Sequence, residues 1–350
     1  MEDKYMEMTV EQMSAMSEDE YVCIDMRSEI AYQHGHIPGA VWWDSGIPMA
    51  EGLPEEKKLI VYCSYGDRSR ELVPKLSRGG FEAYNLAGGY REWLLHHFGE
   101  LDTEEVRRYD RQIILPQIGS EGQIKLKNSR VLVVGAGGLG SPAALYLAGA
   151  GVGTVGIMDA DTVNMSNLQR QILHNIDREQ MNKAESAKLS LERLNDKIEV
   201  RAYPYMLSAE NAEEIIREYD FIIDGTDNFE TKFLINDICV SLGKSFCHGG
   251  ILQFTGQVMT YVPGDCPCYR CVFEEAPERG SLPNCSQAGV IGAVAGIIGS
   301  IQALEAMKYL LGMGGLLTGK ILVIDGLTMR MRRVSINGRN KNCKACGALK

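Results

Sequence analysis

The chain has 350 residues, a length that predicts two or three domains, and its 45 % hydrophobic and 23 % charged content is ordinary for a soluble globular protein. A net charge of −10 excludes a general nucleic-acid binder, so any nucleotide must meet locally placed cations. Ten cysteines behind an acidic, Met-rich start without an apolar core predict no secretory signal, and metal or catalytic thiols in a reducing cytoplasm.

In chain order, Glu11 to Met16 reads as a helix, Tyr21 to Ile24 and Leu59 to Tyr62 as buried strands, and Ser69 to Ser77 as a second helix. This order predicts a small α/β unit with a parallel sheet. The polar stretch Gly99 to Glu105 is the best boundary, with domains over 1–100 and 101–350. Thr103 reads as the cap of a helix from Glu104 that carries Arg108, Tyr109, Arg111 and Gln112.

Between strand and helix lies Cys63-Ser64-Tyr65-Gly66-Asp67-Arg68-Ser69. Backbone N–H groups curl around a sulfur in that setting, the helix dipole favours negative charge, and Arg68 adds a cation. All three lower a thiol pKa and favour a thiolate or persulfide nucleophile. Arg68 and Arg70 fall on either side of the position a cysteine phosphatase uses, which disfavours phosphate-ester chemistry. With Cys23-Ile24-Asp25-Met26-Arg27, Tyr32-Gln33-His34-Gly35-His36-Ile37-Pro38-Gly39-Ala40 and Leu86-Ala87-Gly88-Gly89-Tyr90-Arg91-Glu92-Trp93, this region resembles the rhodanese sulfurtransferases over roughly residues 6–99. The resemblance implies a persulfide on Cys63. His34 and His36 read as structural.

Downstream, strands are predicted at Arg130–Val134, Thr154–Met158, Phe221–Ile223, Ser245–Cys247, Gln257–Val262 and Ile321–Ile324. Helices are predicted at Ser141–Ala150 and Val290–Leu311. The result is a doubly wound α/β, Rossmann-like domain. The apolar run Ala288 to Ile301 continues into Gln302 and Glu305, which favours a buried helix over a membrane span. Gly135, Gly137, Gly138 and Gly140 form a phosphate-binding turn between strand and helix. Asp159 ends the next strand, where an acid bonds a ribose hydroxyl. These residues alone would suit an NAD-dependent oxidoreductase. The following polar run, with Asp161, Asn167 and Arg170, suits a triphosphate, whose about four negative charges need arginine, lysine and a metal. Arg170, Lys183 and Arg111 are candidate cations, and Asp227 in Asp224-Gly225-Thr226-Asp227-Asn228 is a candidate magnesium ligand.

Cys268-Tyr269-Arg270-Cys271 and Cys343-Lys344-Ala345-Cys346 are two Cys-x-x-Cys knuckles suited to a closed, structural zinc site, with Cys266 as a rival ligand. Cys285 sits in a charged, proline-containing segment read as a mobile loop, where a thiol could reach an activated carboxyl group. Cys23, Cys239 and Cys247 read as core packing.

From about 104 to 347 the chain resembles the MoeB/ThiF adenylyltransferases, relatives of ubiquitin-activating enzymes. The motifs are Arg108-Tyr109-Asp110-Arg111-Gln112, the glycine turn, Ser166-Asn167-Leu168-Gln169-Arg170-Gln171 and Thr226-Asp227-Asn228. The resemblance implies ATP as nucleotide and, as substrate, the C-terminal Gly-Gly carboxylate of a ubiquitin-like sulfur-carrier protein. It implies phosphate contacts from Asn167, Arg170 and Lys183, magnesium on Asp227, and an Arg111 that reaches the partner's ATP site in a homodimer. Cys285 matches a position where some relatives form covalent carrier intermediates. The expected reaction is adenylylation followed by sulfur transfer from Cys63, for molybdopterin, thiamine or a related pathway, with a cysteine desulfurase or thiosulfate upstream. A zinc-stabilised regulatory scaffold that binds a ubiquitin-fold protein is the non-enzymatic alternative. The better-known fusions carry the rhodanese unit last, whereas here it comes first.

Overall fold

The computed structural model describes residues 6–33, 35–43, 53–54, 56–97, 101–264, 266–276 and 288–347. Packing divides the chain into two compact units, Met1–Ile124 and Lys125–Lys350.

The first unit holds strands β1 (Glu7–Met8), β2 (Tyr21–Asp25), β3 (Val41–Trp42), β4 (Lys58–Tyr62) and β5 (Ala83–Leu86). They form a parallel sheet in the order β1-β5-β4-β2-β3. Strand β4 is central, and its side chains alternate between two cores. Leu59 and Val61 join Leu72, Val73 and Leu76, while Ile60 and Tyr62 join Met13, Trp93 and Tyr109. A buried ion pair ties together the ends of β2 and β4. Arg27 Nη2 lies 2.6 Å from Asp25 Oδ2, and the Tyr62 hydroxyl donates to the same oxygen at 2.8 Å. The Arg27 guanidinium also stands 3.7 Å from the Tyr90 ring centroid, so the charge is satisfied on several sides. His36 stacks on Tyr32 with ring centroids 4.1 Å apart, a structural contact. His34 lies outside the described residues.

Two local expectations change. Ser69–Glu71 is a 3₁₀ turn, and the α-helix begins only at Val73. Pro74 is the cause, because it lacks an N–H and cannot sit inside a helix that starts at Ser69. The helix Thr103–Ile113 is capped by Asp102, not by Thr103. The Asp102 carboxylate accepts from the Glu105 N–H at 2.8 Å, and the Glu105 carboxylate accepts from the Asp102 N–H at 2.8 Å. By sequence this helix opens the second domain. By packing it belongs to the first unit, since Val106, Tyr109 and Ile113 are buried with Trp93 and Leu94.

The second unit is an eight-stranded sheet in the order β13-β12-β11-β10-β9-β6-β7-β8. The strands are β6 (Arg130–Val134), β7 (Thr154–Met158), β8 (Glu199–Tyr203), β9 (Phe221–Asp224), β10 (Ser245–Leu252), β11 (Thr255–Tyr261), β12 (Lys320–Asp325) and β13 (Arg330–Ser335). From β8 to β10 all pairings are parallel; β11, β12 and β13 add antiparallel. The parallel part is the doubly wound order, with its switch point between β6 and β9. Strand β13 had no sequence signal, because every residue of Arg-Met-Arg-Arg-Val-Ser is exposed on the sheet edge. The helix Gly292–Leu311 is apolar and long enough to span a membrane by composition. Here it packs on β10, β11 and the helix Gly140–Gly149. Its polar groups are used inside: the buried Glu305 carboxylate accepts from Thr260 Oγ1 at 2.6 Å and from the Leu317 N–H at 2.8 Å.

The substitution Asp102→Ala removes half of the capping box and is expected to cost about 1 kcal/mol, measured by denaturant unfolding.

Candidate functional site

The glycine turn leaves β6 and meets the turn that leaves β9. Gly135 has φ +96°, and a Cβ there would lie 2.9 Å from the Gly225 carbonyl oxygen. A Cβ on Gly140 would run into the Gly135 carbonyl oxygen. These two glycines are demanded by backbone contact. Gly137 is roomier, with Gln171 Nε2 as the nearest atom at 3.6 Å, and Gly138 lies under the Arg170 stem, whose Cγ would be 3.4 Å from a Cβ.

Side chains hold this turn from two directions. Asp159 accepts from the Ala136 N–H at 2.8 Å and from the Asp161 N–H at 2.9 Å. Burial raises the Asp159 pKa, against the opposing pull of Lys183. His174 Nε2 lies 2.9 Å from the Ala136 carbonyl oxygen, and its Nδ1 2.9 Å from Ser186 Oγ. Burial lowers the His174 pKa, which favours the neutral ring. Lys183 is buried at the start of the helix Lys183–Leu194 and pairs at 2.9 Å with the exposed Asp161. Arg170 Nη2 donates to Asn167 Oδ1 at 3.1 Å. The polar run therefore gathers Asn167, Arg170 and Gln171 over the turn, with Lys183 behind it.

On the β9 side the sequence pointed to Asp227, which is exposed, and passed over Asp224, which is fully buried. Lys232 Nζ donates to both Asp224 oxygens at 3.3 and 3.1 Å, and to the Gly249 carbonyl at 2.9 Å. His248 Nδ1 lies 2.7 Å from Asp224 Oδ2. Thr226 donates to Asp224 Oδ1 through its amide at 3.1 Å and its hydroxyl at 2.7 Å. Burial alone would raise the Asp224 pKa, but Lys232, His248 and Thr226 hold it well below the usual carboxylate range. Asp224 thus fixes the Thr226 turn that presents Asp227. Asn228 caps the next helix, accepting from the Thr231 N–H at 2.8 Å. Asp224 at a strand end was a readable signal; Lys232, on the helix that follows, and His248, on β10, carried none.

In the first unit, Cys63 is buried at the end of β4. Gly66 has φ +82°, and a Cβ on Gly89 would collide with the Cys63 carbonyl oxygen, so the loop sits directly on the start of the helix Gly89–His97. The Tyr90 N–H donates to the Cys63 carbonyl at 2.9 Å. Burial pushes the thiol pKa up; hydrogen bonds from the Ser69 hydroxyl and from the amides of Ser69, Tyr65 and Arg68 outweigh it and lower the pKa below its usual value. Arg68 contributes through its N–H, since its guanidinium donates to the Met26 carbonyl at 3.0 Å. The Ser69 hydroxyl, unnoticed in the sequence, has Cys63 Sγ at 3.5 Å and Asn85 Oδ1 at 2.6 Å.

The four knuckle thiols converge within 4.8 Å of one another. Sulfur separations are 3.9 Å for Cys268–Cys271, 3.6 Å for Cys268–Cys343 and 3.3 Å for Cys271–Cys346. A tetrahedral tetrathiolate centre has edges of about 3.8 Å, so the set fits such a metal. Cys266 stays out of it, donating to the Thr260 and Pro267 carbonyls at 3.7 and 3.5 Å. Cys285 lies outside the described residues.

The profile of the ThiF family matches residues 109–345, and that of the rhodanese-like domain residues 9–96. An adenylyltransferase and sulfurtransferase MOCS3 from Drosophila sechellia is 48 % identical over 249 residues, 71 % of this chain and 55 % of that protein. The protein of the same name from Culex quinquefasciatus is 46 % identical over 247 residues, 71 % of this chain and 56 % of that protein. The chain thus spans little more than half the length of these relatives. Among solved structures, E. coli MccB with ATP superposes with a TM-score of 0.61 at 24 % identity, covering 73 % of this chain and 79 % of that one. PaaA gives 0.57 at 26 % identity, covering 70 % and 81 %. The MccB likeness is one of fold.

Removing the Ser69 hydroxyl should raise the Cys63 pKa. In Ser69→Ala the rise of iodoacetamide labelling at Cys63 is expected to move to higher pH, followed by peptide mass spectrometry.

Proposed function

Because the chain belongs to the ThiF family and carries a rhodanese-like domain ahead of the ThiF region, we propose that it activates and sulfurates a ubiquitin-like sulfur-carrier protein. The carrier's C-terminal Gly-Gly carboxylate attacks the α-phosphate of ATP, giving an acyl-adenylate and pyrophosphate. The glycine-turn amides, Asn167, Arg170 and Lys183 take the phosphates, and Asp159 takes the ribose. Arg111 of the partner subunit completes the site in a homodimer. Asp227 is the residue to hold magnesium, which supplies positive charge against the phosphates when bound.

A persulfide on Cys63 then attacks the acyl carbon, and AMP leaves. A second thiol, Cys285 or an outside one, attacks the Cys63 sulfur of the acyl disulfide. The carrier departs as a thiocarboxylate, and Cys63 is left in a disulfide that a thiol reductant reopens. A cysteine desulfurase persulfide or thiosulfate is the upstream donor in this reading, with a reducing cytoplasm as the compartment. The observation that carries this reading is the pairing, in one chain, of an amide-ringed thiol of lowered pKa with a phosphate-binding turn at a switch point.

Molybdopterin-type and thiamine-type carriers are to be incubated with the protein, ATP, magnesium and a persulfide donor, and weighed intact. The true carrier gains one sulfur in place of one oxygen. Cys63→Ala is expected to keep ATP–pyrophosphate exchange and lose the thiocarboxylate. Asp227→Ala is expected to lose exchange by on the order of 10²-fold. Sulfur gain undiminished in Cys63→Ala would refute the coupling.

Zinc is the metal proposed for Cys268, Cys271, Cys343 and Cys346, where it would tie the C-terminal knuckle to the body of the unit. Native mass spectrometry should find one zinc per chain. Cys343→Ser should lose that zinc and melt at a lower temperature. An unaltered chain free of zinc would sink the assignment.

A further inference from the structure

Tyr65 lies two residues beyond Cys63, and its amide is one of the donors that lower the Cys63 pKa. Its side chain points to another task. The phenol donates to Asp110 Oδ2 at 3.1 Å. Asp110 precedes Arg111 on the helix Thr103–Ile113. That helix shares its core with Tyr62, the residue immediately before Cys63.

Arg91 braces the same junction. Its guanidinium donates to the Thr103 carbonyl at 2.6 Å and stands 6.0 Å from the Tyr65 ring centroid. Its N–H donates to the Ser64 carbonyl at 3.1 Å. The Tyr65 hydroxyl also feels Arg111: burial and Asp110 raise its pKa, and the charges of Arg91 and Arg111 lower it. Thus the helix whose last residues, Tyr109 to Ile113, open the stretch matched by the ThiF family is bonded, at Asp110, to the sulfur-bearing loop.

We propose that Tyr65 and Asp110 are positioning residues for Arg111, so that the sulfur loop and this arginine form one body and reach the same adenylate together. The proposal rests on the reading of Arg111 as a phosphate ligand. It gives the domain order a purpose, because a rhodanese unit placed first stands directly against the Arg111 helix. Adenylate formation and sulfur delivery are then coupled by geometry, without a long tether.

The test is ATP–pyrophosphate exchange by the full chain with magnesium and a ubiquitin-fold carrier ending in Gly-Gly. Tyr65→Phe keeps the ring and removes one hydroxyl, so kcat is expected to fall about 3- to 10-fold. Asp110→Ala should fall by a similar factor, with the carrier KM unchanged in both. Asp110→Asn keeps an oxygen acceptor and should recover most of the rate, which a general loss of structure would not allow. The double variant Tyr65→Phe/Asp110→Ala should be no slower than the slower single variant, because both remove one interaction. Multiplicative losses, or exchange in Tyr65→Phe equal to that of the unaltered chain, would overturn the proposal. Arg111→Ala separates the two readings. If it exchanges at full rate, the role of Arg111 is wrong and the proposal goes with it. If it is slow while Tyr65→Phe is fast, only the positioning is wrong.

Discussion

Two backbone turns touch at the switch point of the large sheet with no side chain between them. Gly135 and Gly140, leaving β6, close against Gly225, leaving β9. That contact sets the first turn, with its amides, beside the second turn, which carries Asp224 and Asp227. It works only because β6 and β9 are neighbours while their connections run to opposite sides. Much of the site then follows from holding the two turns still. Asp159 and His174 take the N–H and carbonyl of Ala136, and Asp224 takes the Thr226 turn. Dipoles fixed in this way need no reorganisation when charge develops on a phosphate.

The buried Asp224 is the costly part of the arrangement. A carboxylate in the interior must be paired and hydrogen-bonded, and Lys232, His248 and Thr226 do this together. Gln302 of the long apolar helix joins the network by donating to the Asp224 carbonyl at 2.8 Å. The helix that follows this loop, strand β10 and the long apolar helix therefore converge behind the loop that carries Asp227.

The thiol site uses the same device on a smaller scale. A buried parallel strand ends, the chain turns sharply at a glycine, and successive amides point inward. In the large sheet the amides line a turn suited to phosphate; at Cys63 they surround a sulfur. The helix dipole invoked from the sequence has little part, because Pro74 delays the α-helix and leaves only a 3₁₀ turn beside the sulfur. The work falls to the amides of Tyr65, Arg68 and Ser69 and to the Ser69 hydroxyl.

The sequence by itself determined the two kinds of domain, the central strands, the glycine turn and the four metal-type cysteines. These are legible because they depend on local pattern: continuous apolar runs for strands buried on both faces, glycines where a Cβ cannot fit, and paired thiols at fixed spacing. Tertiary structure decided what depends on neighbours distant in the chain. It excluded Cys266 from the thiol cluster, brought His248 and Gln302 to Asp224, and turned the Arg68 guanidinium away to the Met26 carbonyl. It also set the helix Thr103–Ile113 on the rhodanese-like core, although its motif reads as the start of the other domain. Motif membership records which residue types a chemistry requires; the burial of Val106, Tyr109 and Ile113 is settled by which apolar surface lies within reach of the folded chain.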